Sequence, residues 1–140
     1  MEKPGVTYLL DDQIGYVLRR VTQRHLALFS DLIPGITTTQ FAVLARLDQL
    51  GPQSQNQLGR ETAMDAATIK GVVGRLARLG LVATAADPGD RRRLTVSMTP
   101  AGQALLRDHI DRALAVSDRT LAPLSPAEAE QLLALLNRLT

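Results

Sequence analysis

Three consecutive arginines, Arg91-Arg92-Arg93, directly follow an Asp87-Pro88-Gly89-Asp90 turn, and a second set of cations, Lys70, Arg75 and Arg78, lies upstream at helix-compatible spacing. Residues 54–93 hold seven basic groups (Arg60 and these six) against four acidic ones, whereas the whole chain carries only +2. A local surplus of positive charge is what a polyanion-binding face requires, although a solvated surface can carry the same charges. Bond-making chemistry has no comparable candidate. His25 and His109 are far apart, and there is no metal-ligand spacing, Gly-rich phosphate loop or nucleophile–base pair. The absence of cysteine rules out disulfides, thiolate metal sites and thiol redox sensing. The chain therefore reads as a binding protein rather than an enzyme, with neither metal nor cofactor.

The elements that must carry these residues follow from periodicity. At 140 residues the chain fits one domain with helical extensions, and its 45% apolar, 3% aromatic composition demands an aliphatic core. No signal-like N-terminus and no apolar run of about 18 residues is present, which predicts a soluble, cytoplasmic protein with no membrane partner. Ile14, Leu18, Val21, His25, Leu28 and Leu32 trace one face of a helix over Asp11–Leu32, with Asp11 and Asp12 at its positive end. A second helix is expected from about Thr39 to Gly51-Pro52, with Phe41, Leu44 and Ala45 inward. Ser54-Gln55-Asn56-Gln57 reads as a capping box for a short third helix, and Thr62-Ala63-Met64 as a turn. Asp65 then caps a fourth helix that ends at Gly80 and buries Ile69, Val72, Val73, Leu76 and Leu79. The period next changes to alternation. Leu81–Ala86 and Leu94–Met98 predict a hairpin with the arginines at its tip. Thr99-Pro100 opens a long helix, and Ser125-Pro126-Ala127-Glu128 a last, Leu-rich one.

Helix, three-residue turn, helix and basic hairpin make a mainly α fold with a small β-hairpin, laid out as a winged helix-turn-helix. A helix fits the major groove of double-stranded DNA, and a hairpin can follow the backbone or enter the minor groove. Thr68 and Lys70 are then placed for base edges or flanking phosphates, and Arg75 and Arg78 for phosphates. Ala66 and Ala67 can touch thymine methyls, Arg91 and Arg92 can insert into a narrow minor groove, and Arg93 is a further candidate DNA contact. Ser54, at the start of the third helix, completes the candidate contacts. Gly71 and Gly74 each cost about 1 kcal/mol in a helix relative to alanine. Either a DNA backbone approaches closely there, or another helix packs tightly on them. Asp90 reads as structural, holding an arginine of the wing or of the fourth helix.

Four stretches follow one another along the chain: Thr38-Thr39-Gln40-Phe41-Ala42-Val43-Leu44, Leu76-Ala77-Arg78-Leu79-Gly80-Leu81-Val82, Asp87-Pro88-Gly89-Asp90-Arg91-Arg92-Arg93 and Thr99-Pro100-Ala101-Gly102. In these residues and their order the chain resembles the MarR family of bacterial transcriptional regulators. The resemblance implies a homodimer, with residues 39–98 as the winged lobe and residues 8–34 and 99–140 as dimerisation helices. It implies a repressor of a pseudo-palindromic operator, released by a phenolic or aromatic carboxylate effector. More loosely, the N-terminal stretch through Arg24-His25 is similar to regulators of aromatic and nicotinate-type acid catabolism. The Leu-rich terminal helices support the dimer independently, because arms of this size cannot bury such faces alone.

His25 lies on an apolar stripe. It either packs with one hydrogen-bond partner, or binds an effector carboxylate or ring hydroxyl in a mostly apolar pocket. Tyr16, Arg20, Thr38 and Phe41 are its candidate companions, with Arg20 or Arg24 as the cation for an anionic effector. His109 is assigned to structure. Two other readings keep the same fold: a helical interaction module without DNA binding, and a DNA binder that answers to no ligand.

Overall fold

The computed structural model describes residues 5–140; the first four, which open the stretch read above as free of a targeting signal, lie outside the described residues. A short 3-10 turn at Leu10–Asp12 precedes α1 (Ile14–Leu32). Asp11 and Asp12 therefore sit in this turn and not at the start of α1. α2 (Thr38–Leu50) begins one residue earlier than the periodicity predicts. Thr37 Oγ1 accepts from the Gln40 N–H at 3.2 Å, and Gln40 Oε1 accepts from the Thr37 N–H at 3.0 Å. This reciprocal cap satisfies two of the N–H groups that a helix start leaves orphaned, and keeps Gln40 buried at little cost.

α3 (Gln55–Glu61) is capped by Ser54, whose Oγ accepts from the Gln57 N–H at 3.1 Å. Only half of the expected capping box forms. The Gln57 side chain turns along the helix, donating to Glu61 Oε1 and accepting from Arg60. In the turn to α4, Ala63 adopts a positive φ of 56°, and Thr62 Oγ1 donates to the Leu58 carbonyl at 2.6 Å. α4 (Ala66–Arg78) starts at Asp65 and ends in a Schellman motif. Gly80, at φ +74°, donates to Ala77 O, and Leu81 donates to Leu76 O. Ile69, Val73 and Leu76 are buried as expected. Leu79 is not. As the residue that ends the helix it leaves the buried stripe and stands 55% exposed.

The hairpin is part of a three-stranded antiparallel sheet of order β1-β3-β2, built from β1 (Gln53–Ser54), β2 (Val82–Asp87) and β3 (Asp90–Met98). Two-residue β1 pairs with β3 through Gln53–Val96 and Ser54–Thr95, tying the start of α3 to the wing. α5 (Pro100–Leu121) leaves the sheet under a Thr99 cap and passes so close to β2 that a methyl on Gly102 would run into the Leu81 carbonyl. α6 (Pro126–Asn137) opens on a full Ser125–Glu128 capping box, which holds the Glu128 carboxyl below its ordinary pKa by hydrogen bonds from Ser125.

The core lies in the lobe and where α1, α2 and α5 meet. Ile33, Leu44, Leu58, Ile69, Leu76 and Val96 are essentially sealed, and Phe29 meets Phe41 edge-on at 6.0 Å. Outside it, Ile14, Val17, Leu18 and Val21 of α1 and Leu132, Leu133 and Leu135 of α6 lie exposed. The expected apolar stripe of α1 thus divides. Its C-terminal part enters the core, and its N-terminal part finds no cover among the described residues.

Candidate nucleic-acid interface and effector cleft

α4 is amphipathic, so burying Ile69, Val73 and Leu76 forces the opposite face outward. That face presents Ala66, Ala67, Thr68, Lys70, Gly71, Arg75 and Arg78, all exposed. Asp65 fixes its start: Oδ1 accepts from the Thr68 N–H at 2.7 Å, and this bond holds the carboxyl below its ordinary pKa. An ionised cap suits the positive end of the helix.

The two glycines resolve cleanly. A methyl on Gly71 meets nothing within 4 Å, and one on Gly74 meets only the tip of Arg78 at 3.7 Å. Tight packing within the chain is therefore not what they serve. They floor a groove of about 520 Å³ between α4 and the wing, rimmed by Gln55, Lys70, Arg78 and Thr84.

Within the wing, Pro88-Gly89 forms the tip and Asp87 faces Asp90, while the next register pair is Ala86 with Leu94. Arg91, Arg92 and Arg93 thus have no Cα partner on β2, and all three are exposed. They belong to the start of β3 and not to the tip, because the turn closes ahead of them. Asp90 is structural, but by a different bond from the one expected. Its Oδ1 accepts from the backbone N–H of Arg92 at 3.0 Å, holding the chain that carries the guanidinium. Asp87 does the same for Gly89 at 2.8 Å. Ser54 stands apart from the other candidates, since it is half-buried and its oxygen is committed to capping α3.

A second concavity opens where α1, α2 and α5 converge. It measures about 360 Å³ and is walled by Phe29, Phe41, Leu114 and Ile110, with His25, Thr38 and Ser117 as polar groups. Three of the five candidate effector residues, His25, Thr38 and Phe41, meet there. Tyr16 and Arg20 do not. At 3.6 residues per turn, Tyr16 points to the opposite side of α1 from His25, and Arg20 is well round the helix. The Arg20 guanidinium lies over the Tyr16 ring at 6.0 Å. Arg24 is also unavailable as a cation for an effector. Its two terminal nitrogens donate to Thr120 O and Arg119 O at 2.7 Å each, capping the C-terminus of α5. His25 Nδ1 sits 2.8 Å from Thr120 Oγ1. His109 is structural, with Nδ1 on the Leu105 carbonyl. Leu114 and Ser117 of α5 escaped sequence reading, because an amphipathic pattern does not say which distant helix faces the stripe.

Among the described residues there is no cluster of three or more potential metal ligands, and no helix is long and apolar enough to cross a membrane. A MarR family model matches residues 35–93. The chain is 40% identical to the HTH-type transcriptional repressor NicR of Pseudomonas putida over 94% of its length and 85% of that protein. A probable transcriptional regulator from Pseudomonas aeruginosa is 54% identical, with a TM-score of 0.89 over 94% of this chain and all of that one. BpsR of Bordetella bronchiseptica, whose DNA binding is regulated by 6-hydroxynicotinic acid, is 38% identical, with a TM-score of 0.90 over 96% of this chain and 97% of its own. With the helix pair, the basic wing and these relatives together, the chain belongs to the MarR family and is a DNA-binding transcriptional regulator, not an enzyme.

Proposed function

We propose that this regulator is a cytoplasmic homodimeric repressor that binds a pseudo-palindromic operator and is released by a small aromatic acid. Residues 39–98 act as the DNA-binding lobe, and residues 8–34 and 99–140 as the arms. Arg75, Arg78, Arg91, Arg92 and Arg93 hold phosphates, Thr68 and Lys70 meet base edges, and Ala66, Ala67 and Gly71 let α4 sit deep in the groove. A two-fold dimer presents its two α4 helices about 34 Å apart, or a multiple of one DNA turn.

The cleft at His25 carries the effector half of this reading. It is apolar, of a size for one aromatic ring, and lies where the arm helices α1 and α5 meet α2 of the lobe. A ring that wedges there and prefers one arm–lobe angle shifts the population away from the operator-spaced form. BpsR, whose DNA binding is regulated by 6-hydroxynicotinic acid, supports the ligand class.

The test is a gel shift on the DNA upstream of the protein's own gene, repeated with a panel of aromatic carboxylates. Tight binding relieved by one compound, with relief lost in His25→Ala, is the expected result. Binding that no compound relieves would leave DNA recognition standing and remove the effector assignment. Failure to bind any operator-like DNA would leave the interaction-module reading.

A further inference from the structure

The effector cleft contains one heterocyclic side chain, and its protonation pattern is dictated from outside the cleft. Thr120, the penultimate residue of α5, bonds back along its own helix: Oγ1 donates to the Val116 carbonyl at 2.8 Å. A hydroxyl has one proton, so Thr120 Oγ1 is left as an acceptor. The atom 2.8 Å away is His25 Nδ1, which carries the hydrogen of that contact for as long as the threonine keeps its bond to Val116. Arg24, next to His25 on α1, holds the carbonyls of Thr120 and Arg119, so the threonine cannot drift from the ring. His25 Nε2 has no hydrogen-bond partner among the described residues and is not sealed from solvent. With Nδ1 protonated, a neutral imidazole presents Nε2 as a lone-pair acceptor.

We infer that Thr120 is a positioning residue for effector recognition: it fixes His25 as the Nδ1–H tautomer, so that Nε2 selects ring systems carrying a hydrogen-bond donor. The inference rests on the effector reading above and deepens it. The cleft lining includes neither arginine nor lysine. Within one chain, a carboxylate alone has only the Thr38 and Ser117 hydroxyls to meet. A ring hydroxyl, or the N–H of the corresponding pyridone, has His25 Nε2. Discrimination within the aromatic acids thus falls on the ring donor and not on the carboxylate they share.

The test has two readouts on the full-length protein. Long-range ¹H–¹⁵N spectra, with His25 assigned through His25→Gln, report the tautomer without any ligand. The expected result is Nδ1–H in the wild type and a substantial Nε2–H population in Thr120→Val, with Thr120→Ser restoring the wild-type pattern. Calorimetric titration then compares 6-hydroxynicotinic acid with nicotinic acid, which lacks the ring donor. One matched hydrogen bond predicts about a tenfold preference for the hydroxylated probe, lost in Thr120→Val and kept in Thr120→Ser. An Nε2–H tautomer in the wild type overturns the inference whether or not any variant folds. So does an unchanged preference in Thr120→Val. If the tautomer is as stated but neither probe binds, or His25→Gln binds both normally, the effector reading falls and Thr120's hold on the ring survives.

Discussion

The lobe from α2 to β3 and the arms are built from the same aliphatic residues but dispose of them in opposite ways. In the lobe, Leu44, Leu58, Ile69, Leu76 and Val96 are at most 1% exposed, and every helix start carries a side-chain cap. In α6, by contrast, no residue is buried; Leu133 stands 49% exposed, and Leu139, just beyond the helix, 71%. Burying a leucine is worth about 1.5–3 kcal/mol, so a leucine face left in water is an association site that the chain does not fill itself. The lobe closes its core within one chain. In the proposed dimer the arms bury their exposed faces against a second copy, a division that would let an arm–lobe angle change without melting the part that reads DNA.

The sharpest way to break this contrast is to charge the arm. Leu133→Glu is expected to turn the dimer into a monomer by sedimentation while leaving the lobe folded by circular dichroism. Losing the link between two half-site contacts should lower operator affinity by about a hundredfold or more. A dimer that survives the substitution would mean that the α6 leucines do not form the interface.

Next in size is Gly102, where arm and lobe meet. Any side chain there collides with the Leu81 carbonyl, a backbone atom fixed by its bond from the Thr99 N–H. Gly102→Ala should cost roughly 3 kcal/mol in a denaturant melt, with the dimer interface chemically untouched. A neutral result would show that α5 slides freely over β2, and that the lobe does not dictate where the arm begins.

Much of this architecture was legible in the sequence, for definite reasons. Asp65, Ser125 and Pro100 are local signals, and local hydrogen-bond chemistry is what short motifs encode. The basic wing followed from alternation about a strong turn, and the exposed face of α4 from the buried stripe opposite. What escaped depends on distant partners. Nothing in Gln53-Ser54 shows a strand until Val96 and Thr95 lie beside it, and Gln57 could not announce that Glu61 would outbid Ser54. The candidate effector cleft was half legible for the same reason. His25, Thr38 and Phe41 share a predictable helix junction, whereas Tyr16 and Arg20 were grouped by nearness in sequence and point elsewhere. Arg24 looked like a ligand cation because its true partners, two carbonyls of α5, are 95 and 96 residues away.

Within the lobe, the division between grip and readout can be sharpened by two substitutions of smaller effect. Arg91→Ala should weaken binding to all DNA sequences by about tenfold and reduce the slope of affinity against salt by about one, the signature of a lost phosphate contact. Lys70→Ala should relax the preference at one position in each half-site, read from binding to a randomised operator library. If both variants lose affinity uniformly, Lys70 grips as the wing does, and readout belongs to Thr68 and the alanines.

The smallest effect separates stability from function on a single face. Gly71 sits mid-helix, with open space where a side chain would stand, so Gly71→Ala relieves an unfavourable helix residue without a clash. The folded lobe should gain about 1 kcal/mol. If the open space exists for a DNA backbone or groove floor, the same methyl occupies it, and operator affinity should fall as the melting temperature rises. That opposed pair of changes is the mark of a residue retained for what docks on it and not for what it does to the fold. A variant that gained stability and lost no affinity would place the closest approach of DNA elsewhere on α4, toward Ala66 and Ala67.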